Sequence, residues 1–316
     1  TLLACVELGV LHTLRRAPAS AEALALAHGL NPDRAARLAQ AAAATGLLIR
    51  QRDGRYRLGR LGAAVLGVPG LEDMIRHHRV FYRDLADPVA LLKGEAETEL
   101  SQFWPYVFGT AAEVDQDRAA TYSDLMATSQ HLVAEETLDA VSLDGISHLL
   151  DVGGGTGVFL DHVAARAPGL SLTLFDLPSV IEAASARFDG KMPPFAIRGG
   201  SFVTDPLPEG MYAISLIRVL YDHDEDVVRA LLAKAHAALP PGGRIIISEP
   251  MSGGETPCRA GDAYFGFYTM AMTTGRPRSP RHHMALLREA GFADRNAHAT
   301  GRPFLTRVVS ARKAST

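Results

Sequence analysis

Cysteine is almost missing from this sequence, which has only Cys5 and Cys258 in 316 residues. Two distant cysteines provide neither a disulfide framework nor the spacing of a metal site, so we expect a chain of the reducing cytoplasm. A long apolar run is also missing at the start, where residues 1–14 are apolar but include Glu7 and His12. This stretch is too short and too polar for a membrane span, and it does not fit a signal peptide.

Neither positive nor negative charge is in large excess. The 32 lysines and arginines nearly balance 35 aspartates and glutamates, for a formal net charge of −3, so the chain has no overall attraction for nucleic acid. The pairs His77-His78 and His282-His283 are adjacent in sequence. Adjacent residues on a helix point to different sides and cannot chelate together. We therefore predict no metal, and the length allows one or two domains.

The first 70 residues have the pattern of a winged helix. A helical stretch over residues 1–14 is followed by two more, which begin after the N-cap residues Ser20 and Asn31. Asp53-Gly54 then marks a hairpin turn between two short strands.

A winged helix also suits a DNA-binding regulator, which is an alternative from a different functional class. Residues 15–60 contain nine arginines against three acids, a local balance of +6. However, the helix that would enter a DNA groove, residues 32–44, is mostly alanine and offers few base-reading side chains. We interpret the basic surface as the solvated face of an interaction module.

Residues 71–140 are helical in pattern and unusually aromatic. The aromatic residues of interest here, with one methionine, are Phe81, Tyr82, Phe103, Trp104, Tyr106, Phe108, Tyr122 and Met126. Most are expected to be core, and a subset can wall a large apolar pocket, because ligand sites favour aromatic residues and methionine. We place a domain boundary near residue 140.

The most informative stretch is the glycine-rich run at residues 151–157, between an apolar strand pattern and a helical pattern. Gly153, Gly155 and Gly157 allow close approach of the backbone to a ligand, and the following helix N-terminus favours an anionic group. A dinucleotide-binding fingerprint requires glycine at the sixth position, where Val158 stands, which disfavours an NAD dehydrogenase. Asp176 ends the next strand and can accept both ribose hydroxyls of an adenosyl group, although NAD proteins use such an acid as well.

Strands and helices alternate after residue 140, which predicts a mostly parallel α/β sheet. We expect strands near 147–152, 171–176, 194–198, 212–219 and 244–249, and helices near 157–166, 178–188, 225–239 and 281–290. The last two strand patterns, 293–300 and 304–311, follow one another without a helix and predict a terminal antiparallel pair.

These motifs together resemble the plant-type and bacterial small-molecule O-methyltransferases, which depend on S-adenosylmethionine (SAM). The resemblance rests on the glycine run, Gly200-Ser201-Phe202, Arg218-Val219-Leu220-Tyr221-Asp222-His223, Gly242-Gly243 and Ser248-Glu249-Pro250. It implies a Rossmann-like class I methyltransferase sheet and three parts: a winged-helix dimerisation domain (1–70), a helical linker contributing to the substrate pocket (71–140) and a SAM-binding domain (141–316). The 218–224 run and the 262–280 segment are most similar to the carotenoid hydroxyl O-methyltransferases of purple photosynthetic bacteria.

The resemblance implies SAM as cofactor, S-adenosylhomocysteine as product, and no metal. The cofactor-binding residues that it implies are Asp151, Gly153, Gly155, Gly157, Asp176, Leu177, Ser201, Phe202 and Arg218. Ser201 replaces the family's adenine-binding Asp, and Phe202 would lie against the adenine ring. Arg218 would anchor the methionine carboxylate or else pair with a local acid.

The catalytic positions depart from the family pattern. Tyr221 stands where the family has its general-base His, and a phenol with a pKa near 10 is a poor base at neutral pH. His282 stands where the family has the acid that braces that base, and His223 follows two residues after Tyr221. We interpret Tyr221 as a hydrogen-bonding partner of the substrate hydroxyl, with His282 or His223 taking the proton. The alternative is that both histidines are structural.

Residues 262–274 are helical in spacing and dense in aromatic residues and methionine. Phe267 and Met270 of this segment, with Tyr122 and Met126, suggest a long apolar acceptor, which the resemblance implies to be a hydroxylated carotenoid of the spheroidene pathway. The alternatives are a phenol, a polyketide or a tetrapyrrole, methylated on oxygen or carbon, or a SAM-sensing winged-helix regulator. The resemblance further implies a homodimer without nucleic acid, cytoplasmic, with transient contact to pigment-bearing membranes to collect its substrate.

Overall fold

The computed structural model describes residues 1–103, 116–188 and 195–315, without the side chains of residues 103, 116–125, 183, 186 and 187. The described chain forms two compact units, Thr1–Arg83 and Asp84–Thr316. Trp104, Tyr106 and Phe108 lie outside the described residues, and the side chain of Tyr122 lies outside the described side chains. The division into three parts at residues 70 and 140 stays a prediction.

The first unit has the helices α1 (Leu2–Glu7), α2 (Val10–Arg16), α3 (Ala21–His28), α4 (Pro32–Ala44), α5 (Arg60–Gly67) and most of α6 (Leu71–Asp84). Ser20 and Asn31 cap α3 and α4 by accepting backbone N–H groups, as their positions predict. The antiparallel strands β1 (Leu48–Arg50) and β2 (Tyr56–Leu58) form the predicted hairpin. The order of elements is that of the predicted winged helix, whose role in dimerisation stays a prediction.

The second unit contains a seven-stranded sheet in the order β5-β4-β3-β6-β7-β9-β8. Its strands are β3 (His148–Val152), β4 (Ser171–Asp176), β5 (Phe195–Gly199), β6 (Ala213–Ile217), β7 (Arg244–Glu249), β8 (Phe292–His298) and β9 (Arg307–Lys313). The first five run parallel, whereas β9 is antiparallel to both β7 and β8. The predicted mostly parallel sheet with an antiparallel end is confirmed.

The helices of this unit precede the sheet or connect its strands. They are α7 (Pro88–Lys93), α8 (Gln116–Ala140), α9 (Val158–Arg166), α10 (Pro178–Phe188), α11 (Glu225–Ala238), α12 (Gly266–Met272) and α13 (Pro280–Glu289). The segment 262–274, which is helical in spacing, forms the end of a π-helical turn, Arg259–Phe265, that leads directly into α12. Among the helices of the described ranges, none is both long and apolar enough to cross a membrane.

The strand expected over residues 212–219 ends at Ile217. Arg218 takes a left-handed backbone conformation, with φ of 59°, and a 3₁₀ turn follows at Leu220–Asp222. Because β3 and β6 are neighbours while the chain leaves them in opposite directions, a crevice opens at their carboxyl ends. The glycine-rich loop and Arg218 therefore lie at the same edge of the sheet.

Candidate active site

The glycine-rich loop has three glycines in left-handed backbone conformations, Gly153, Gly155 and Gly157. A Cβ atom on Gly153 would lie 2.9 Å from a methyl group of Val219, and one on Gly157 would lie 2.3 Å from the Phe188 ring. A Cβ on Gly155 would meet nothing within 4 Å. The loop is therefore packed at its two ends and open at Gly155, which fits a ligand that approaches the backbone closely.

Asp176 joins the open part of this loop to the end of β4. Its Oδ2 accepts the N–H of Gly155 and its Oδ1 accepts the N–H of Leu177, each at 2.7 Å. Burial raises the pKa of Asp176, and the two backbone hydrogen bonds oppose this shift. Each carboxylate oxygen keeps a second lone pair, so Asp176 can still accept the hydroxyl groups of a ribose.

Asp151 lies beneath the loop rather than on its open face. Its side chain is fully buried, Oδ1 accepts the Ser215 hydroxyl at 2.6 Å, and Oδ2 has no hydrogen-bond partner among the described residues. A Cβ on Gly154 would lie 2.3 Å from that Oδ2. Burial raises the pKa of Asp151 to about 7. This position indicates that Asp151 supports the loop from below, and its predicted contact with a cofactor stays a prediction.

The segment after β5 lies next to the glycine-rich loop. Phe202 comes within 3.8 Å of a Cβ placed on Gly153, and its ring meets that of His223 edge-on at 5.2 Å. Lys234 fixes this segment by donating to the carbonyl groups of Phe202, Val203 and Asp205, each at 2.8 Å. The predicted adenine-side residue Phe202 therefore lies beside the loop, and it is packed against the predicted proton acceptor His223.

The resemblance led us to expect an acid at the position of Ser201, and the structure places an acid, Asp205, close to the Ser201 backbone. The N–H of Ser201 donates to Asp205 Oδ2 at 2.8 Å, and its own hydroxyl oxygen accepts the N–H of Val203 at 3.3 Å. This hydroxyl is exposed on the turn and can still donate to or accept from a base.

Tyr221 is carried by the 3₁₀ turn and is 2% exposed. Burial, with Asp222 as the next contribution, raises the pKa of Tyr221 well above its usual value. The phenol therefore stays protonated at neutral pH, the form that can donate a hydrogen bond. Its role as a hydrogen-bonding partner of the substrate hydroxyl stays a prediction.

The Arg218 guanidinium connects this turn to α8. It donates to Ser129 Oγ at 2.9 Å, to Gln130 Oε1 at 3.4 Å and to Met126 Sδ at 3.2 Å. Its charge also lowers the pKa of Asp222, which burial raises well above the usual value. Arg218 thereby connects Met126, a predicted substrate contact, to residues 220–223, which we call the catalytic turn because they carry the predicted catalytic residues Tyr221 and His223.

The two histidines at the start of α13 have different partners. His282 Nε2 lies 3.1 Å from Glu225 Oε2, at the start of α11, and burial lowers the pKa of His282. His283 is fully buried, with Nε2 3.1 Å from Glu249 Oε1, although not in hydrogen-bond geometry. Among the described residues, His283 is therefore the histidine next to Glu249, whose carboxylate also accepts the N–H of Tyr221. His282 instead pairs with Glu225, which lies outside the turn.

Sequence reasoning missed His283, Glu249 and Arg278 as neighbours of the catalytic turn. The signal for His283 was present, because His283, Leu286 and Leu287 have the i, i+3, i+4 spacing of one helix face. Glu249 belongs to a motif that the sequence did reveal, without an assigned role.

An aromatic cluster lies beside Tyr221. Its ring meets Phe265 edge-on at 6.1 Å, Tyr264 meets Phe265 at 4.7 Å, and Tyr264 and Tyr268 are 5.9 Å apart. Of the predicted substrate contacts, Phe267 is half-buried in α12. Met270 is 37% exposed and lines a surface cavity of about 420 Å³ whose other walls include acidic and hydroxyl side chains.

Over residues 1–103, 116–188 and 195–315, no group of three or more His, Cys, Asp or Glu side chains has the arrangement of a metal site. The crevice is flanked by the glycine-rich loop, by Asp176 at the end of β4 and by the turn that carries the buried Tyr221. They suit an adenosyl ligand at one end and an apolar hydroxyl compound at the other.

Comparisons with known proteins agree with this arrangement. The O-methyltransferase domain family matches residues 82–293. The demethylspheroidene O-methyltransferase of Rhodobacter capsulatus is 54% identical over 99% of this chain and 78% of its own length. The enzyme of the same name from Cereibacter sphaeroides is 51% identical over 99% of this chain and 83% of its own length. The crystal structure of SibL, an S-adenosylmethionine-dependent methyltransferase, superposes with a TM-score of 0.82 at 25% identity, covering 99% of this chain and 95% of SibL.

Proposed function

Since this chain belongs to the O-methyltransferase family, we propose that it transfers the methyl group of SAM to a hydroxyl group of a carotenoid of the demethylspheroidene type. The observation that carries the proposal is the identity of 54% and 51%, over 99% of the chain, with two enzymes of that name. The aromatic cluster around Tyr221 supports an apolar acceptor, because ligand pockets for such molecules are lined by aromatic residues.

The residues at the loop fit the methyl donor. Asp176 would hold the ribose, Phe202 would lie against the adenine, and the open backbone at Gly155 would allow close approach. When bound, SAM supplies the methyl group on an electrophilic sulfonium. The protein's contribution is then to align the acceptor oxygen and to remove its proton.

We assign Tyr221 the task of orienting the acceptor hydroxyl. Its raised pKa keeps the phenol protonated, so the group can donate one hydrogen bond and accept another. We take Asp222 as a further candidate proton acceptor, because it follows Tyr221 in the turn and burial raises its pKa well above the usual value, so that its carboxylate is more basic than an ordinary one. His223 and His282 are the proton acceptors that the sequence suggested. Burial lowers the pKa of His223 to about 4, which makes it a weaker base than an ordinary histidine.

The variants Asp222→Asn, His223→Ala and His282→Ala separate these three assignments. If Asp222 takes the proton, Asp222→Asn lowers kcat on the order of 100-fold or more, whereas the two histidine variants retain most of their activity. A loss confined to His223→Ala or His282→Ala would move the role to that histidine.

We further propose a homodimer that touches anionic membranes transiently through its hairpin. Arg50, Arg52 and Arg57 are exposed there, and Ile49, directly opposite Arg57, is 39% exposed. Clustered arginines attract anionic lipid headgroups, and an apolar acceptor partitions into the same bilayer. Light scattering tests the dimer. Sedimentation with phosphatidylglycerol or phosphatidylcholine vesicles tests the membrane contact, which equal binding to both lipids would contradict.

The decisive test of the function is SAM turnover with three matched conditions: a hydroxylated carotene in detergent, a simple catechol, and no acceptor. We expect methyl transfer to the carotene alone. Transfer to the catechol and not to the carotene would contradict the proposed acceptor and favour a phenolic one, whereas SAM binding without any transfer would favour a SAM-sensing protein.

A further inference from the structure

The backbone of the catalytic turn is held by a segment more than fifty residues away in sequence. Thr274 Oγ1 donates to the carbonyl oxygen of Asp222 at 2.9 Å. The Arg278 guanidinium donates through Nη1 to the carbonyl of Leu220 and through Nη2 to the carbonyl of His223, each at 2.9 Å. Three of the four carbonyl groups of residues 220–223 therefore accept hydrogen bonds from residues 274–278.

The fourth carbonyl, that of Tyr221, lies directly against Gly275. A Cβ on Gly275 would be 2.2 Å from this oxygen and 2.5 Å from the carbonyl carbon of Asp222. Gly275 has a φ of 68°, so both the space and the backbone conformation favour glycine. The two segments are in contact backbone to backbone at the residue that carries the phenol.

Arg278 is suited to this contact by its shape as well as its charge. Its side chain is 1% exposed, and the planar guanidinium can reach two carbonyl groups at once, which a lysine ammonium does less well. Its Nε lies 3.5 Å from Glu225 Oε2. Burial lowers the pKa of Arg278, whereas the carboxylates of Glu249 and Glu225 raise it and favour the charged form. A buried charge is costly, so its presence here points to a geometric task.

Glu249 holds the same turn from its other side. Its Oε2 accepts the N–H groups of Leu220 and Tyr221 at 2.9 and 3.1 Å. Glu249 accepts the N–H groups of the turn, and Thr274 and Arg278 donate to its carbonyl groups, so the turn has little freedom to move relative to the sheet.

We propose that Arg278 is a positioning residue for methyl transfer, which fixes the backbone of residues 220–223 and thereby the direction of the Tyr221 hydroxyl. This inference rests on the proposed role of Tyr221. A displacement of the hydroxyl by a fraction of an ångström changes the alignment of the acceptor oxygen, and misplacement of about 1 Å can cost on the order of 100-fold in rate.

The test is a double-mutant cycle on kcat with Arg278→Lys and Tyr221→Phe, using the wild-type enzyme and the hydroxylated carotene. Thr274→Val is a milder second variant, since it removes one hydrogen bond to the turn. Arg281→Gln is the matched control, because Arg281 is an arginine three residues away whose side chain is 82% exposed and contacts Glu255. Melting temperature and the KM for SAM are measured for every variant.

We expect Arg278→Lys to lower kcat about 10- to 100-fold with a KM for SAM within about twofold of the wild type, and Arg281→Gln to change neither. In the Tyr221→Phe background, Arg278→Lys should lower kcat by less than about threefold, because the hydroxyl group that Arg278 positions is absent. Thr274→Val should show the same pattern with a smaller loss.

Equal losses from Arg278→Lys in both backgrounds would overturn the positioning role of Arg278 while leaving Tyr221 in place. A normal kcat for Tyr221→Phe alone would instead remove the proposed role of Tyr221, and the proposal for Arg278 with it. If Arg278→Lys does not fold, Thr274→Val decides between these outcomes by the same comparison.

Discussion

The charge of Asp151 beneath the glycine loop should make the stability of the protein fall as pH rises. The carboxyl group is fully buried, Oδ2 has no partner among the described residues, and burial raises its pKa from 3.8 to about 7. Because the folded-state pKa is raised, the folded protein binds the proton more tightly than the unfolded chain. The stability contributed by the protonated acid is therefore fully present below pH 4 and is lost as pH rises through 7.

The size of the effect follows from the shift. About three pKa units at 1.36 kcal/mol each give an upper bound of ~4 kcal/mol between the two limits of pH. Between pH 5 and pH 8, where most proteins remain folded, linkage predicts a loss of about 2 to 3 kcal/mol. Asp151→Asn keeps the shape and an acceptor for Ser215 but carries no charge, so its stability relative to the wild type should increase by that amount from pH 5 to pH 8.

The assay is urea unfolding of both proteins without ligand at pH 5, 6, 7 and 8. Asp139→Asn is the control, because Asp139 has an exposed side chain that pairs with Arg166 at the surface. We expect the stability of this control, relative to the wild type, to change by less than about 0.5 kcal/mol over the same range. A difference between Asp151→Asn and the wild type that does not vary with pH would refute the assignment of a buried, titrating carboxyl group beneath the loop.

Three further changes test the rest of the crevice. Gly157→Ala should lower the free energy of unfolding by about 2 kcal/mol or more in urea titration, since φ is 79° and the methyl group would meet Phe188. Gly155→Ala should lower it by only about 1 kcal/mol, because the added methyl group would meet no atoms within 4 Å. Asp176→Asn should weaken SAM binding about tenfold or more by calorimetry with little change in melting temperature, and unchanged affinity would exclude Asp176 from the site. Tyr221→Phe should lower kcat about 10- to 100-fold with an unchanged KM for SAM, and full activity would exclude a hydrogen bond to the acceptor.

The sheet was largely predictable because its signals are local. Short apolar runs between turn residues placed β3, β4 and β7 within about one residue, and the glycine run identified the loop between β3 and α9. The end of β6 was not predictable in this way. Arg218 takes a positive φ, which is uncommon for a residue with a side chain, and the sequence around it is not that of a glycine turn.

The candidate site was predictable in its composition but less so in its contacts. The sequence named Tyr221 and His282, yet the partner of His282 is Glu225, fifty-seven residues away, and the buried member of the pair is His283. The bonds from Arg278 to the turn join residues fifty-five and fifty-eight positions apart. No local pattern encodes such pairs, because they depend on how α11 and α13 pack at the end of the sheet.

The contacts of the catalytic turn also explain how the fold accommodates a tyrosine at position 221, where the resemblance led us to expect a histidine. Glu249 binds N–H groups, Arg278 and Thr274 bind carbonyl groups, and Gly275 contacts the backbone, so every one of these interactions is made to main-chain atoms. The side chain at 221 contributes none of them. The turn therefore keeps its shape whichever side chain it carries, and the residue at 221 is free to match the chemistry of the acceptor. An apolar acceptor whose hydroxyl needs orientation suits a buried, protonated phenol.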